Sequence, residues 1–462
     1  MTRTLAGATL ELVGKTVTLK GWINSVRSHG GLTFFDLRDR SGLVQVVGEK
    51  LAKDLKPESV VAVTGRVKAR PQNLVNPKLT TGKVEVAAQT VEVITVSREL
   101  PLPIDTDGRD IDEQVRLKYR YLDLRRPRMA KNIRLRSRAV KFIHDFLTDQ
   151  DFVEIETPIL TKTTPEGARD FLVPSRLKPG QFYALPQSPQ QYKQLLMVAG
   201  FERYFQIARC FRDEDPRHDR AYGEFTQLDL EMSFVDQNEI LSLTEELFTG
   251  LVKEIFPDKK VTATPWPRIA HAEAIKKYGS DKPDLRKDKK DPDELAFAWI
   301  IDFPLLVKQT QEDFFHGAGV KYAPSHHMFT APHPDDVKLL ESDPLKVRGL
   351  QHDLVLNGYE VGGGSVRIHD PAVQEKIFDL IGFTDKQKNQ FDHMLTAFGY
   401  GVPPHGGIAP GIDRFLMAAL AEPSLREVIA FPAVSSGQTA VMDAPSPATP
   451  EQLKELHLKL VK

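Results

Sequence analysis

The sequence has little cysteine and no long hydrophobic run. Cys210 is the only cysteine among 462 residues, so neither an intramolecular disulfide nor a cysteine-ligated zinc cluster can form. The most apolar window, residues 296–307, is short and is interrupted by Asp302 and Pro304, which argues against a membrane span. The N-terminal residues contain no apolar signal core. These absences predict a protein of a reducing compartment, the cytoplasm, without membrane contact.

Net charge is also small, with a formal value of −1 at pH 7. A chain with this balance has no overall attraction to nucleic acid, so any such binding must use local basic patches. The hydrophobic fraction of 41% and the charged fraction of 27% are ordinary for a globular enzyme. The length predicts two or three domains with ample hydrophobic core.

The first hundred residues have the pattern of short β-strands separated by turns that contain Gly, Pro and Asn. Five strands near the N-terminus of a larger enzyme predict an OB-fold barrel, whose open face suits single-stranded bases. The predicted strands are residues 16–27, 32–38, 43–47, 59–70 and 83–95.

An aromatic pair on the second predicted strand indicates how bases could be held. Because successive side chains of a strand point to opposite faces, only one of Phe34 and Phe35 can enter the core, and the other ring should be exposed. Arg27, Arg38 and Lys68 are near in sequence. A stacking ring beside a basic groove is the usual means of binding unpaired bases. Core packing of both rings is the alternative.

The segment 101–128 contains prolines and the sequence DTDGRD, and it is predicted to be a linker or hinge. It is locally basic, as a hinge lying against a nucleic-acid backbone would need to be. A solvated connector would have the same composition, so the sequence leaves both interpretations open. The basic residues are Arg116, Lys118, Arg120, Arg125, Arg126 and Arg128.

Residues 204–234 have the pattern of a long hairpin, with a strand, a charged loop and a second strand. In the second strand, leucines alternate with Gln227, Asp229 and Glu231, so one face is apolar and the other is polar. Such a polar face is a poor core but a suitable ligand floor. At the loop, Arg212 could pair with a phosphate and Phe225 could stack under a base. A solvated hairpin tip is the alternative.

The hairpin, with CFRDED and EFTQLDLEMSF, resembles motif 2 of the class II aminoacyl-tRNA synthetases, in particular their bacterial-type aspartyl members. Further similar segments occur in order along nearly the whole chain: TPEGARDF (164–171), QSPQQYKQL (187–195), HHMFTAP (326–332), YEVGGGSVRIHD (359–370) and GIAPGIDRF (407–415). The resemblance implies an α+β fold, with an antiparallel sheet flanked by helices after an N-terminal OB-fold barrel. It implies an anticodon-binding domain over 1–100, a hinge over 101–128 and a catalytic domain over 129–462.

The same resemblance implies an ATP-dependent ligase. It would activate L-aspartate as aspartyl-adenylate with release of pyrophosphate, and then transfer aspartate to the 3′ end of tRNA(Asp). ATP and Mg²⁺ are the implied cofactors. Helical spacing predicts helices over 129–148 and 237–256, and the first resembles motif 1, which implies a homodimer. The loop SHGGL at 28–32 resembles aspartyl enzymes that also charge tRNA(Asn), with His29 as the selectivity residue, although a glycine-rich turn is the alternative.

Site residues also follow from the resemblance. Catalysis is assigned to Arg212 and Arg414. The residues assigned to ATP are Arg212, Asp213, Glu214, Phe225, Glu360, Gly411, Ile412, Asp413 and Arg414. The residues assigned to aspartate are Glu166, Ser188, Gln190, Lys193, Arg212, Asp229, His326 and Arg367. The residues assigned to the anticodon are Arg27, Phe35, Gln45 and Glu85, and those assigned to Mg²⁺ are Asp353 and Glu360.

Two of these assignments have a physical argument beside the resemblance. If their segment is extended, the adjacent His326 and His327 cannot both face one pocket, so one ring is expected to contact substrate and the other to pack. The resemblance assigns the contact to His326. Asp353 and Glu360 could share a divalent ion that is bound through phosphates and water, as magnesium prefers.

The chain departs from the family in two places. Bacterial aspartyl enzymes carry an inserted domain between motifs 2 and 3, whereas this chain has a short charged linker at 280–294 that is predicted to be solvated. The motif 2 loop is one residue longer than usual, which puts an ATP contact near Ala221 or Tyr222 in doubt.

Overall fold

The computed structural model describes residues 2–49, 51, 55–163, 168–220, 222–309, 322–434, 436–439 and 441–461. The chain divides into two compact units, Met1–Pro103 and Ile104–Lys462. In these described ranges, no helix is both long and apolar enough to cross a membrane.

The first unit contains a closed barrel. Its described strands are β1 (Arg3–Thr4), β2 (Thr16–His29), β3 (Leu32–Asp39), β4 (Gly42–Glu49), β5 (Val60–Ala69) and β6 (Val84–Thr95). Strand β5 pairs with both β6 and β2, and this double pairing closes strands β2 to β6 into the predicted OB fold. The five predicted strands are confirmed to within two residues at each end, because alternating β-branched residues bury one side in the barrel core.

The second unit is built on an eight-stranded sheet. The helices of the unit are α1 (Glu113–Lys118), α2 (Arg120–Asp123), α3 (Pro127–Thr148), α4 (Gln190–Val198), α5 (Gln237–Ile255), α6 (His271–Tyr278), α7 (Leu339–Ser342), α8 (Pro371–Leu380), α9 (Asp385–Lys388), α10 (Asp392–Phe398), α11 (Ile412–Ala419) and α12 (Pro450–Glu455). The sheet strands are β7 (Val153–Glu154), β10 (Arg203–Arg212), β11 (Gly223–Ser233), β13 (Arg268–Ala270), β15 (Phe297–Pro304), β18 (Arg348–Leu356), β19 (Tyr359–Val366) and β20 (His405–Pro410). The short strand pairs are β8 (Leu172–Pro174) with β9 (Phe182–Ala184), β12 (Lys260–Val261) with β14 (Glu294–Leu295), and β16 (Leu306–Lys308) with β17 (Tyr322–Pro324).

The order of the large sheet is β13-β15-β18-β19-β20-β11-β10-β7. Its central pairs are antiparallel, and the outermost pair at each edge is parallel. The predicted hairpin is confirmed as β10 and β11, with Arg212 opposite Gly223 at its tip. Leu228 and Leu230 of β11 join a hydrophobic core with apolar residues of α3, α5 and α11. The opposite face of β11 is therefore left for its polar residues.

The segment predicted to be a linker contains α1 and α2 and is anchored by buried ion pairs. Asp123 accepts hydrogen bonds from Arg116 at 3.1 Å, from Arg120 at 2.8 Å and from Arg126 at 2.7 Å. Arg116 also pairs with Glu427 at 2.8 Å. Because all three arginines are buried, the nucleic-acid contact considered for this segment is wrong for them. Arg116 and Arg120 hold the segment to the residues that follow α11, through Glu427 and the carbonyls of Ile429 and Ala430, whereas Arg126 binds Thr106 within the segment.

Candidate active site

A cavity of about 350 Å³ lies on the polar face of the large sheet. It gathers groups from β11, β19, α4 and the start of α11, which are far apart in sequence. The assigned residues that line it are Ser188, Gln190, Lys193, Arg212, Glu214, Phe225, Asp229, His326, Glu360, Arg367, Gly411, Asp413 and Arg414. In particular, the guanidinium groups of Arg212, Arg367 and Arg414 open onto the same space.

Some assigned residues lie elsewhere. Glu166, and Ala221 in the motif 2 loop, fall outside the described residues. Asp213 accepts a hydrogen bond from the Tyr222 hydroxyl at 3.3 Å and is not among the described residues that line the cavity. Ile412 packs in the hydrophobic core, because the first turn of α11 turns its apolar side chain inward. Direct ATP contacts by the side chains of Asp213 and Ile412 are thus not favoured.

The floor of the cavity is a buried cluster of four charges. Lys193 Nζ lies 3.1 Å from Asp229 Oδ2 and 3.2 Å from Glu231 Oε2. Arg367 binds Glu231 with two hydrogen bonds, Nε to Oε1 at 2.9 Å and Nη2 to Oε2 at 3.2 Å. The two cations and two carboxylates sum to zero charge, which makes their burial tolerable.

Both cations of this floor keep donors for a ligand. A guanidinium has five N–H groups. Those of Arg367 are accounted for by Glu231, by Ser365 at 2.8 Å and by a short contact with His327, which leaves one Nη2 N–H without a partner in the described structure. Lys193 has three N–H groups and two carboxylate partners. Two charged donors therefore remain for an incoming carboxylate.

The two carboxylates differ in their ionisation. Burial, with repulsion from Glu231, raises the pKa of Asp229 to about 6 even though Lys193 opposes the shift. Burial acts on Glu231 too, but Arg367 and Lys193 together lower its pKa to about 2. Asp229 Oδ1 is buried and has no hydrogen-bond partner among the described residues. It is an acceptor suited to a ligand ammonium group.

Both histidines of the HHMFTAP segment line the cavity, so His326 lies where it was expected, whereas the expectation that only one of the two rings would face the pocket is wrong. The chain bends at these residues instead of being extended, and the two rings lie 4.6 Å apart. Burial and the charge of Arg367 lower the pKa of His326 to about 4. Burial, His326 and Arg367 also lower the pKa of His327. Near neutral pH, both rings are therefore uncharged hydrogen-bonding groups.

The other end of the cavity suits a nucleotide. The guanidinium carbon of Arg212 lies 5.0 Å from the centre of the Phe225 ring, so a cation and an aromatic face stand together at the hairpin tip. Arg414 donates to the backbone carbonyls of Asp219, at 3.1 Å, and Glu360, at 2.6 Å. These bonds fix the direction of a second guanidinium at the start of α11.

Asp353 and Glu360 flank a gap beside Gly363. A methyl group at Gly363 would lie 3.2 Å from Asp353 Oδ1, 3.5 Å from His326 Nε2 and 3.9 Å from Glu360 Oε1, so the glycine leaves room among these three groups. Burial and the Glu360 charge raise the pKa of Asp353 well above its usual value, whereas Arg414 and Lys282 lower that of Glu360 against the effect of its burial. In the described part of the chain, no group of three or more His, Cys, Asp or Glu residues could hold a metal. Two carboxylates nevertheless fit an ion that takes its other ligands from phosphates and water.

Asp413 is held by protein partners. Its Oδ1 makes a short ion pair with Arg136 of α3, and its Oδ2 accepts from the Thr226 N–H at 2.9 Å. With both oxygens occupied, Asp413 ties α11 to β11 and α3. We infer that it positions the neighbouring Arg414 instead of binding ATP itself.

Several cavity residues escaped the sequence-based assignments. Glu231 was visible on the polar face of its strand, but only its contacts with Arg367 and Lys193 reveal its structural role. Lys282 comes from the linker that was predicted to be solvated, and no sequence signal marked it. The charged and histidine side chains that line the cavity and were not assigned include Arg217, Asp219, Arg220, Lys282 and His327. Glu231 is not among the described lining residues, but it binds Lys193 and Arg367, which are.

The first unit has its own polar face, on the outside of β3, β4 and β6. Phe35 is wrong as a stacking residue, because its ring is buried in the barrel core. Phe34 faces the other way, is partly exposed, and pairs across the strands with Arg27. On the same side, Gln45 Nε2 donates to Glu85 Oε2 at 3.1 Å.

Arg70 and His29 also belong to the first unit, which carries that polar face. Arg70 lies 3.8 Å from Glu85, and its Nε and Nη1 are buried without hydrogen-bond partners in the described structure. His29 is exposed at the end of β2, next to Gly30 and Gly31 with φ of 57° and 83°. Their left-handed conformation makes the predicted glycine-rich turn.

Comparison with known proteins agrees with this architecture. Residues 112–435 match the family model described as class II tRNA synthetases (D, K and N), and residues 17–94 match that of an OB-fold nucleic acid binding domain. The Aspartate--tRNA(Asp/Asn) ligase of Rubrobacter xylanophilus is 42% identical, over 97% of this chain and 95% of the relative. The protein of the same name from Moorella thermoacetica is also 42% identical, over 96% and 94%.

These alignments run over 579 and 577 positions, more than the 462 residues of the chain. The relatives therefore contain long segments without a counterpart here, as the short linker predicts. Among solved structures, the asparaginyl-tRNA synthetase from Pyrococcus horikoshii complexed with asparaginyl-adenylate is similar, with a TM-score of 0.73 and 25% identity, over 91% of this chain and 95% of that one. On the strength of the family match and the relatives at 42% identity, the chain belongs to the class II aminoacyl-tRNA synthetases of the aspartate, lysine and asparagine group.

Proposed function

We propose that the chain is an aspartate-tRNA ligase, which activates L-aspartate with ATP and transfers it to tRNA(Asp). The observation that carries the proposal is the buried floor of Lys193, Asp229, Glu231 and Arg367 beneath the cavity that Arg212 and Arg414 also line. This arrangement offers spare cationic donors for a carboxylate and an unpartnered carboxylate oxygen for an ammonium group. A small amino diacid requires both.

In the first step, the α-carboxylate of aspartate attacks the α-phosphorus of ATP, and pyrophosphate leaves as aspartyl-adenylate forms. A carboxylate is already ionised at neutral pH, so the enzyme needs no general base here. It has only to position the reactants and to neutralise charge. Arg212 is assigned to the α-phosphate, Phe225 to the adenine and Arg414 to the terminal phosphate. In the second step, the 3′-terminal hydroxyl of the tRNA takes the aspartyl group and AMP leaves.

Asp353 and Glu360 are the residues that would hold Mg²⁺, beside the gap at Gly363. When bound there, the ion would neutralise phosphate charge and orient the leaving pyrophosphate. Glu360 also accepts an Arg414 hydrogen bond on its backbone carbonyl, at 2.6 Å, so the same strand residue aligns the guanidinium and the carboxylate.

Selection of aspartate over asparagine follows from the floor. The spare donors of Arg367 and Lys193 would pair with the side-chain carboxylate of aspartate, and Asp229 with its ammonium group. Asparagine would present an amide whose N–H groups face those donors. A site built on buried polar pairs can reject such a mismatched analogue by about 10⁴–10⁵.

For tRNA, we propose that the barrel face with Arg27, Phe34, Gln45 and Glu85 binds the anticodon, with Phe34 in the stacking role first assigned to its neighbour. Binding of tRNA(Asn) as a second substrate is supported by the names of the relatives and by the exposed His29 at its glycine turn. A homodimer built through α3 and a cytoplasmic location complete the proposal. They rest on the family resemblance and, for the location, on the single cysteine.

The deciding experiment charges purified tRNA(Asp) and tRNA(Asn) with labelled aspartate and, separately, labelled asparagine. We expect aspartate to be attached to tRNA(Asp) and asparagine to neither. Attachment of aspartate to tRNA(Asn) as well would establish the broader tRNA range, and His29→Ala should then change the ratio of the two rates. Asparagine charging, or ATP binding without any charging, would contradict the proposed function.

A further inference from the structure

The short linker at 280–294 is held in place by its own hydrogen bonds and reaches the cavity at Lys282. Asp284 binds Arg286 with two hydrogen bonds, at 3.0 and 2.8 Å, and the side chain of Glu294 caps the backbone N–H groups of Lys287 and Asp288 at 3.0 Å each. The loop packs on the turn between β18 and β19, where a methyl group at Gly358 would lie 3.4 Å from Asp284 Cβ. These contacts fix the path of the linker across the edge of the cavity.

This path brings Lys282 to Glu360. Its ammonium nitrogen lies 3.0 Å from Glu360 Oε2 and lines the same cavity as Arg212 and Arg414. Pro283, the next residue, is buried, whereas Lys287, Lys289 and Lys290 later in the same linker are exposed. Lys282 is thus the lysine of this segment that is directed to the nucleotide end of the site.

Stability does not explain this contact. Both side chains of the pair keep solvent access, with relative exposures of 40% and 32%, and ion pairs of that kind contribute little to folding. A lysine ammonium is a point charge on a flexible stem, so it can exchange one anionic partner for another nearby. The triphosphate of ATP brings several negative charges to the end of the cavity where Arg414 lies.

We propose that Lys282 is a further nucleotide-binding residue, which leaves Glu360 when ATP binds and contacts its terminal phosphates. The proposal rests on the proposed function, since it assumes that ATP is the substrate of this cavity. It gives the shortened linker a role in the reaction, because the loop supplies one cation to the phosphates. In the free enzyme, the same ammonium balances Glu360 in a site that would otherwise carry two adjacent carboxylates.

The test measures nucleotide affinity by calorimetry on the full chain with magnesium, without aspartate or tRNA. Lys282→Met removes the charge and keeps the stem, Lys282→Arg keeps the charge, and Lys290→Met is the matched control in the same linker. We expect Lys282→Met to weaken ATP binding about tenfold to a hundredfold and to leave AMP binding unchanged, because AMP lacks the terminal phosphates. Lys282→Arg should recover most of the loss, and Lys290→Met should behave as wild type.

Three outcomes would overturn the proposal. ATP affinity unchanged in Lys282→Met would mean that the ammonium does not reach the phosphates. Tighter ATP binding would mean that it only competes with the metal for Glu360. Equal weakening of ATP and AMP would indicate a general disturbance of the loop. If the wild type itself fails to bind ATP, the proposed function fails, and this result is separate from the other three.

Discussion

Replacing Arg367 by leucine tests the charge balance of the cavity floor. In the native cluster, Lys193 and Arg367 balance Asp229 and Glu231. Arg367→Leu leaves a net charge of −1 buried beneath the substrate. Breaking a buried ion pair in this way costs about 3–5 kcal/mol of stability. The double variant Glu231→Leu/Arg367→Leu restores neutrality and should regain much of that loss.

The same charge balance predicts the effect on catalysis. In the proposed function, Arg367 donates a charge-assisted hydrogen bond to the aspartate side chain, and Arg367→Leu should remove this bond at a cost of about 1.5–3 kcal/mol. It also exposes the substrate carboxylate to the uncompensated Glu231, and at about 5 Å and an effective dielectric constant of about 20 the repulsion is about 3 kcal/mol. Together these terms lower kcat/KM for aspartate by about 10³–10⁴-fold. The double variant loses the hydrogen bond without the repulsion, so its loss should be about 10–100-fold.

Two assays separate stability from function. Urea unfolding can be followed by tryptophan fluorescence in a Trp22→Phe background. The remaining tryptophans, Trp266 and Trp299, are buried in the second unit, so the signal measures unfolding of that unit alone. Aspartate-dependent pyrophosphate exchange gives kcat/KM, and ATP binding should stay close to wild type in both variants. Exchange near the wild-type rate in Arg367→Leu would refute the role of this residue. A double variant as inactive as the single one would refute the repulsion argument.

Three further predictions address other parts of the molecule. Because the pKa of Asp229 is raised to about 6, its carboxylate becomes protonated below that pH, and kcat/KM for aspartate should fall about tenfold per pH unit there. If the residual activity of Asp229→Asn shows the same decrease at low pH, the decrease does not arise from Asp229. Arg136→Ala should raise KM for ATP about tenfold with little change in KM for aspartate, because we infer that the ion pair of Arg136 with Asp413 positions Arg414. Arg138 is exposed on the same helix, so Arg138→Ala should have no effect. Equal KM values for ATP in the two variants would refute the link between Arg136 and Arg414. Phe35→Ala should destabilise the barrel by about 3–5 kcal/mol. Phe34→Ala should weaken tRNA binding by about 1–3 kcal/mol with little loss of stability. The reverse pattern would show that Phe35, and not Phe34, stacks on a base.

The sequence alone determined the local elements and the family. Strands of the barrel, the long hairpin and the helix α5 follow from hydrophobic periodicities of two and 3.6 residues, which depend only on neighbours along the chain. The polar face of β11 was visible for the same reason, because alternation separates Gln227, Asp229 and Glu231 from the leucines. The ordered motifs then indicated which chemistry those residues serve.

Tertiary structure decided which face of each element is buried and which charges meet. Alternation could say that one of Phe34 and Phe35 is inside, but only closure of the barrel selects Phe35. Likewise, the composition of residues 101–128 shows that this segment is basic, but only the tertiary structure shows that three of its arginines form buried ion pairs with Asp123. Lys282 and its partner Glu360 are 78 positions apart in the sequence, and Arg367 and its partner Glu231 are 136 positions apart. Contacts of that range depend on how the sheet assembles, and no local pattern encodes them.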